Sequence, residues 1–326
     1  MSDPLVLAFT GSTGVGKTET AHRLADSVLT KHVRVGNSRR SLPQGLLVLR
    51  GEDYSLTSEY ATLGLGEVHK HIKKRLFDHL LACSPGGNTI VIFDEIQKVI
   101  PGALDALLSS LGERGFVTSG SDSKSTAVLS TANCIFIFIS DIGSERMVKL
   151  LLAYDEKKKI PKNAMRLEVK AALDEQWERL QFGKMIKEVI PFLPLERADI
   201  TDILRLKIEQ MSVDYQFIYW MDLAVDESAL EELTGEQYIT YANHTTTIRP
   251  KAQVAAVEAT AGGDSDTAEV KAALPVVKSK LFATWGARAL MNAGTKIHSS
   301  VPASGLVSPN PIDFPRTGTG FASALF

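Results

Sequence analysis

The sequence predicts an α/β fold, a three-layer sandwich whose parallel sheet is covered by helices on both faces, followed by a small α-helical domain. Three observations predict it. Several short runs are apolar throughout instead of alternating, which is typical of strands buried on both faces. Amphipathic stretches separate these runs, and the strand signal fades after about residue 200. The candidate strands are residues 5–10, 46–50, 89–93, 134–140 and 189–195.

Helical spacing and composition organise the rest of the chain. Leucines recur at helical spacing from Leu104 to Leu111, after Pro101, a residue suited to a first helical turn. Further helices are expected at residues 203–208 and 223–233. The expected units are a large α/β domain over residues 1–200, a helical lid over 201–298 with a flexible insertion near 245–275, and a disordered tail over 299–326.

The overall composition limits the class of protein. The chain has 326 residues, 44% of them hydrophobic, enough for a substantial core. Its 36 basic and 38 acidic residues nearly balance, which argues against a nucleic-acid partner, and the basic runs 69–75 and 157–159 are interpreted as solvated helix faces. Cys83 and Cys134 match no zinc or disulfide pattern and are expected to be buried. No apolar run approaches the roughly 18 residues of a transmembrane helix.

Residues 11–18 read Gly-Ser-Thr-Gly-Val-Gly-Lys-Thr and complete the Walker A pattern G-x-x-x-x-G-K-[ST] directly after the first candidate strand. The glycines let successive N–H groups point at phosphate oxygens, and the following helix adds its positive dipole end. Lys17 is expected at the β and γ phosphates and Thr18 at Mg²⁺. The predicted nucleotide-binding residues are Gly11, Ser12, Thr13, Gly14, Val15, Gly16, Lys17, Thr18 and, from the next motif, Asp94. The alternative is an ordinary glycine-rich turn.

A second motif ends the hydrophobic run 89–93 in Asp94 and Glu95. Such a pair at a strand end is a Walker B pattern with a catalytic base. Asp94 is expected to hold Mg²⁺ together with Thr18, while Glu95 polarises the water that attacks the γ-phosphate in line. The alternative is an acidic cap between a strand and a helix.

Two weaker signals complete the predicted site. The run 134–140 is expected to lie between the two Walker strands, so that Asp141 at its end probes the γ-phosphate, and a helix N-cap is an equally open alternative for this residue. In the helical domain Arg288, within Gly-Ala-Arg, is expected to reach the γ-phosphate as a bidentate ligand that couples nucleotide state to the angle between the domains. Alone, Gly-Ala-Arg is a very weak motif.

The order of these motifs resembles the Clp-type branch of the AAA+ ATPases. The segments FTGSTGVGKTETAHRLA, VIFDEIQKVIPGALDALLSSL, FIFISDIGSER and GAR follow that family's Walker A, Walker B, sensor 1 and sensor 2. Within the branch, IFIFISDIGSER and VIPFLPLE are most similar to the torsins, AAA+ ATPases of the endoplasmic reticulum lumen and nuclear envelope. The resemblance implies ATP and Mg²⁺ as cofactors, a homo-oligomeric ring or partial ring, and ATP-driven, chaperone-like work on protein clients or membrane-associated complexes.

Several positions depart from the family pattern. Asp141 stands where sensor 1 usually has Asn, and Gly-Ala-Arg stands where torsins have Gly-Cys-Lys. No arginine finger occurs in residues 182–188, and Lys184 or Lys187 offers only a compact ammonium that cannot make the bidentate contact. A finger supplied in trans accelerates hydrolysis about 10³- to 10⁵-fold. Torsins lack it and resemble enzymes activated by a membrane-protein cofactor, so we expect weak basal hydrolysis and an arginine-donating activator.

Two functions remain in competition. The first is a torsin-like ATPase that remodels complexes; the second is a scaffold that binds ATP to set its assembly and does not hydrolyse it. A P-loop kinase is disfavoured by Glu95 and the helical lid. Residues 60–66 are the nearest candidate for the aromatic pore loop of an unfoldase, but no aromatic lies between its glycines. We therefore expect an ordinary surface loop and remodelling by surface contact.

The start of the chain bears on its location. Residues 1–4 alone precede the first candidate strand, where AAA+ domains usually carry part of the adenine pocket. Either the base is held loosely, or the chain is an incomplete version of a longer protein. As written, the chain is expected in the cytoplasm. A missing signal-bearing N-terminus would place it, by its torsin resemblance, in the endoplasmic reticulum lumen or nuclear envelope.

Overall fold

The computed structural model describes residues 3–35, 38–43, 45–83, 88–119, 127–154, 160–161, 163–177, 182–217, 226–248, 276–284 and 286. The strands are β1 (Leu5–Gly11), β2 (Thr30–Val35), β3 (Ser38–Pro43), β4 (Leu46–Arg50), β5 (Thr89–Asp94), β6 (Phe116–Thr118), β7 (Val128–Ser130), β8 (Cys134–Ser140), β9 (Glu188–Phe192), β10 (Tyr241–Ile248) and β11 (Val276–Ala283). The α-helices are α1 (Lys17–Leu29), α2 (Glu59–Thr62), α3 (Leu65–Ala82), α4 (Leu108–Leu111), α5 (Ser144–Ala153), α6 (Ala164–Trp177), α7 (Phe182–Met185), α8 (Arg197–Asp214) and α9 (Glu227–Leu233). Short 3₁₀ turns cover Gly51–Tyr54, Ile96–Lys98 and Ala103–Leu107.

The chain divides into two compact units, one of residues 1–147 with 161–193 and one of residues 148–160 with 194–326. In its described part, the first unit carries a parallel sheet in the order β4-β5-β8-β1-β9. Parallel neighbours require crossover connections, which the intervening helices supply. The predicted parallel sheet is confirmed, and β8 lies between the strands of the two strongest motifs, as expected.

One face of this sheet packs against α1. Phe9, Ile92 and Ile139 from three strands form a buried cluster with Ala21 and Ala25 of that helix. Because successive residues of a strand point to opposite faces, the small alanines let α1 approach the sheet closely. This packing fixes the start of α1, and hence the glycine-rich loop, against β1.

The other face of the sheet carries aromatic rings. Phe93, the residue before Asp94, stacks on Phe138 with ring centroids 6.2 Å apart, and Tyr54 packs on Phe93 at 5.8 Å. All three are among the fully buried side chains. Such aromatic pairs add stability beyond the area they bury. The end of β5 therefore rests on a rigid support.

The predicted strands are confirmed with one shift. Four of them lie within one residue of their expected bounds. The fifth, β9, ends at Phe192 instead of continuing to residue 195. Pro194 has no N–H to donate to a sheet, and the Leu195 carbonyl accepts a hydrogen bond from the Ala283 N–H at 2.9 Å in the second unit.

The leucine stripe forms a broken helix. The predicted single helix from Pro101 instead begins after Gly102, which adopts φ +85°, and runs as the 3₁₀ turn Ala103–Leu107 followed by the one-turn helix α4. A positive φ is incompatible with a regular helix, so the first turn cannot start at the proline. Leu104, Leu107 and Leu111 are nonetheless buried, and Leu108 is half-buried.

Cysteines and basic runs follow the sequence interpretation only in part. Cys134 is buried as expected, whereas Cys83, just after α3, is half-buried. The run 69–75 lies on α3, where Lys70 and Lys74 are exposed, Lys73 is half-buried, and Ile72 belongs to the core. The other run, 157–159, lies outside the described residues.

The described part of the second unit after residue 193 contains the helices α8 and α9 and the strand pair β10–β11. The predicted helices are present as α8 and α9, and their buried side chains include Leu204 and Leu230. The expectation that strands cease near residue 200 is wrong, because β10 and β11 pair as an antiparallel ladder from Tyr241↔Ala283 to Ile248↔Val276. Residues 249–275 and 287–326 lie outside the described part, and with them most of the expected insertion and the tail.

Candidate functional site

The glycine-rich loop joins β1 to α1, as the motif predicts. Gly11 must be glycine because a Cβ there would lie 2.3 Å from the Phe192 carbonyl oxygen on the neighbouring strand. Gly16 has φ +93° and open space around the position of a Cβ. The first helical bond of this turn runs from the Thr20 N–H to the Gly16 carbonyl at 2.9 Å. The amides of the first turn therefore have no acceptor within the helix and suit an anion.

Lys17 lies across this loop. Its Nζ donates hydrogen bonds to the carbonyl oxygens of Gly11, at 2.6 Å, and Ser12, at 2.8 Å. The ammonium therefore lies against the backbone of the first two residues of the loop. A phosphate group in the same loop would meet both the amides and this charge, so the chemistry of the donors fits a nucleotide.

Thr18 and Asp94 bring the two motifs into one site. The Thr18 hydroxyl donates to Asp94 Oδ2 at 3.1 Å and lies 3.3 Å from Oδ1, although the residues are 76 positions apart. The Glu95 N–H also donates to Asp94 Oδ1, at 3.0 Å, which orients the carboxylate. A hydroxyl and a carboxylate oxygen in contact are a suitable pair of ligands for Mg²⁺. The residues fit the predicted ion, and the described chain carries no cluster of three or more His, Cys, Asp or Glu side chains suited to a metal.

Glu95 follows directly in a left-handed conformation, with φ 55° and ψ 46°. Its Oε2 lies 2.7 Å from Lys98 Nζ, and the same ammonium lies 2.6 Å from Glu52 Oε1, just after β4. Hydrogen bonds to Glu52 and Glu95 raise the pKa of the Lys98 ammonium, and the hydrogen bond from Lys98, together with its charge, lowers the pKa of Glu52. Glu95 stands at the N-cap position of the turn Ile96–Lys98, as the alternative interpretation expected, but its carboxylate makes no capping hydrogen bond and pairs with Lys98 instead.

Gly51 supports the same turn from the next strand. A Cβ at Gly51 would lie 2.1 Å from the Glu95 carbonyl oxygen and 3.1 Å from that of Asp94. Sequence reasoning missed Gly51, Glu52 and Lys98. A signal existed for Lys98, which stands three residues after Glu95, the spacing of a local ion pair.

Asp141 lies where the motif order places it. It follows β8 directly, is half-buried, and its backbone carbonyl accepts a hydrogen bond from the Ser144 N–H at 3.1 Å. Helix α5 begins at Ser144, and Gly143 immediately before it has φ +82°. Asp141 thus stands two residues before the position of an N-cap, and the strand order sets it between the ends of β1 and β5.

Comparison with known proteins assigns the domain that contains these motifs to a family. The family model of the AAA domain (Cdc48 subfamily) matches residues 3–181, more than half of the 326-residue chain. The chain belongs to the AAA domain family. The match includes the glycine-rich loop, Asp94, Glu95 and Asp141.

Several relatives resemble this AAA domain. The chaperone protein ClpB of Chlamydia pneumoniae is 28% identical over 238 residues, which cover 72% of this chain and 25% of ClpB. Mitochondrial ClpB4 of Arabidopsis thaliana is 30% identical over 206 residues, covering 62% of this chain and 19% of its own length. A torsin-like protein of Drosophila melanogaster is 24% identical, covering 63% of this chain and 56% of its own. The expected similarity to Clp-type ATPases and torsins is confirmed, and the chain spans about a quarter of the length of the ClpB relatives.

A solved structure also matches in part. The S. cerevisiae Hsp104-ADP complex aligns with a TM-score of 0.47 at 21% identity, over 72% of this chain and 37% of that one. No helix in the described part of the AAA domain or the second unit is both long and apolar enough to cross a bilayer.

The remaining predicted residues of the AAA domain protein are less fully placed. Arg288 lies outside the described residues, so its role as sensor 2 stays a prediction. Lys184 is exposed on α7, and Lys187 lies 3.8 Å from Asp3 Oδ2 while its N–H donates to the Val6 carbonyl at 3.0 Å. Both lysines near the expected finger position are therefore exposed, and Lys187 also pairs with Asp3 within the domain.

The pore-loop candidate is packed at its aromatic end. Tyr60 lies on α2 and stacks on His71 of α3, with ring centroids 4.0 Å apart. The Tyr54 hydroxyl lies 3.2 Å from His71 Nδ1, and burial raises the pKa of Tyr54 to about 12. Leu63, between α2 and α3, is 67% exposed. Tyr60 is therefore part of the domain's packing. The expected loop over residues 60–66 is wrong in its secondary structure, because α2 and α3 cover all of it except Leu63 and Gly64, although residues 62–66 are exposed.

Proposed function

We propose that this AAA domain binds MgATP at residues 11–18 and hydrolyses it through Glu95. The contact between Thr18 and Asp94 carries the proposal, because it joins the phosphate loop to the Walker B strand in one site. Glu95, the next residue, is a carboxylate suited to orient and deprotonate an attacking water. Family membership supports an ATPase in general.

Each residue then has a separate role. The amides at the start of α1 and the Lys17 ammonium bind phosphate oxygens. Thr18 and Asp94 hold Mg²⁺, which when bound neutralises charge on the β and γ phosphates. Glu95 accepts the proton of the water. Asp141, at sensor 1, is placed to orient that water, since a carboxylate beside phosphate oxygens is electrostatically unfavourable.

We further propose a chaperone-like role on protein clients, carried out by a ring or partial ring of subunits. In each subunit Arg288 reaches the γ-phosphate and couples nucleotide state to the angle between the domains. The relatives named chaperone protein ClpB and torsin-like protein support this class of work. Hydrolysis by the isolated chain is weak, since Lys184 stands near the finger position and an ammonium lacks the bidentate geometry of arginine. A second protein supplies the arginine. The similarity to torsins favours a location in the endoplasmic reticulum lumen or nuclear envelope. Imaging the tagged protein in cells tests this location.

The experiment compares ATP binding and phosphate release for wild type, Glu95→Gln and Lys17→Ala. Glu95→Gln is expected to keep ATP binding and lose turnover, whereas Lys17→Ala loses both. Glu19→Gln is the matched control, because this exposed glutamate on α1 only pairs with Arg23. If wild type and Glu95→Gln both bind ATP and neither releases phosphate above background, the non-hydrolysing scaffold is the correct function.

A further inference from the structure

The turn after β5 is held from the β4 side at two levels. At the backbone, Gly51 lies against the Glu95 carbonyl so closely that a Cβ would come within 2.1 Å. At the side chain, Lys98 Nζ contacts Glu95 Oε2 at 2.7 Å. Glu52, the residue after Gly51, draws the same ammonium from the other side at 2.6 Å. The segment 51–52 therefore lies against the backbone of Glu95, and Lys98 contacts its carboxylate.

The ion pairs of Lys98 with Glu52 and Glu95 contribute little to the stability of the fold. The side chains of Lys98, Glu52 and Glu95 are 41%, 60% and 37% exposed, and ion pairs of this exposure contribute little to folding. Two carboxylates also share one ammonium, so the network keeps a net negative charge. What it does accomplish is to select one rotamer of Glu95, whose backbone is in the left-handed region.

We propose that Lys98 is a positioning residue for hydrolysis, and that Glu52 and Gly51 complete the frame that orients the Glu95 carboxylate. The proposal rests on the proposed function, since it assigns a role toward Glu95 as the base. Lys98 touches neither phosphate nor water in this role; it acts through Glu95. Glu52 holds the same ammonium from the β4 side at 2.6 Å.

The consequence is a specific kinetic signature. Lys98→Met keeps the length and apolar stem of the side chain but releases the carboxylate, so kcat is expected to fall about tenfold, as for a misplaced catalytic group. The KM for ATP and the Kd for ADP are expected to stay within about twofold, because the phosphate loop belongs to β1 and α1. Lys98→Arg retains a cation that reaches Glu95 and is expected to restore most of the rate.

The test measures phosphate release and ADP binding for wild type, Lys98→Met, Lys98→Arg and Lys98→Met combined with Glu95→Gln. Lys70→Met is the matched control, because Lys70 makes a similar exposed ion pair three residues from Glu67 at 2.7 Å. The proposal predicts no additional loss when Lys98→Met is added to Glu95→Gln.

Three results overturn the proposal. An unchanged kcat in Lys98→Met shows that the lysine does not position Glu95. An increased kcat shows that the lysine holds Glu95 away from its catalytic position. A parallel rise in KM, or a failure of Lys98→Arg to restore turnover, shows a general structural effect. All three results leave the proposed function intact as long as turnover in the wild type depends on Glu95. If the wild type shows no such turnover, the proposed function fails, and the role of Lys98 fails with it.

Discussion

Adding one methyl group at Gly51 is expected to inactivate hydrolysis while sparing nucleotide binding. In Gly51→Ala the Cβ would lie 2.1 Å from the Glu95 carbonyl oxygen, a distance that real Cβ atoms essentially never show. To reach an ordinary contact, the turn carrying Asp94 and Glu95 must move by roughly 1 Å. A displacement of that size at a catalytic group lowers the rate about 10²-fold. Overpacking also costs about 1–3 kcal/mol of stability.

The assay separates chemistry from folding. Phosphate release gives kcat, titration with a fluorescent ADP gives binding, and urea unfolding gives stability. Gly66→Ala is the neutral control, because nothing lies within 4 Å of a Cβ there. Gly45→Ala is the destabilised control: its Cβ would lie 2.6 Å from the Asn88 carbonyl, at the opposite end of β5. A Gly51→Ala protein that turns over ATP like Gly45→Ala would refute the argument.

Three further outcomes are expected. Thr131→Val removes the buried hydrogen bond from the Thr131 hydroxyl to the Ser110 carbonyl at 2.6 Å, and should lower the unfolding free energy by about 1–3 kcal/mol in urea titrations. Burial lowers the pKa of His71 and His79 below 6.5, so the unfolded state binds more protons and stability falls as pH drops below about 6.5; replacing either histidine with Gln should flatten that slope between pH 7 and pH 5. Lys184→Arg should raise kcat at least about tenfold in a protein-concentration-dependent way, if an exposed arginine there reaches a neighbouring subunit's site, and a rate that ignores dilution contradicts this.

The sequence predicts those parts of the site whose geometry is determined by a short, continuous stretch of residues. The loop at residues 11–18 and the acidic end of β5 each require particular residue types at fixed spacing, so their positions follow from local pattern. Their meeting also follows, because parallel strands bring their carboxyl ends to one edge of the sheet. The contact of Thr18 with Asp94 is the direct result.

The parts that escaped prediction depend on contacts between distant segments. Gly51 looks like any glycine after a strand, and only the packing of β4 on β5 shows what a side chain there would meet. The pairing of β10 with β11 joins residues more than 25 positions apart in the sequence across a stretch with little periodicity. The strand propensity of a segment does not predict such pairing, because a strand is stabilised by contacts with the neighbouring strand.

The β1 side and the β4 side of the site differ in how easily their residues can be rearranged. On the β1 side, Gly11 is packed against Phe192, and Lys17 and Thr18 lie at the start of α1, so the proposed phosphate site has little freedom to alter its position. On the β4 side, Glu95 is held by an exposed lysine that a second carboxylate also contacts. An exposed, shared ion pair is inexpensive to rearrange, whereas a packed glycine is not. Any partner that adjusts turnover without changing nucleotide affinity therefore has its simplest route through the end of β4 and Lys98.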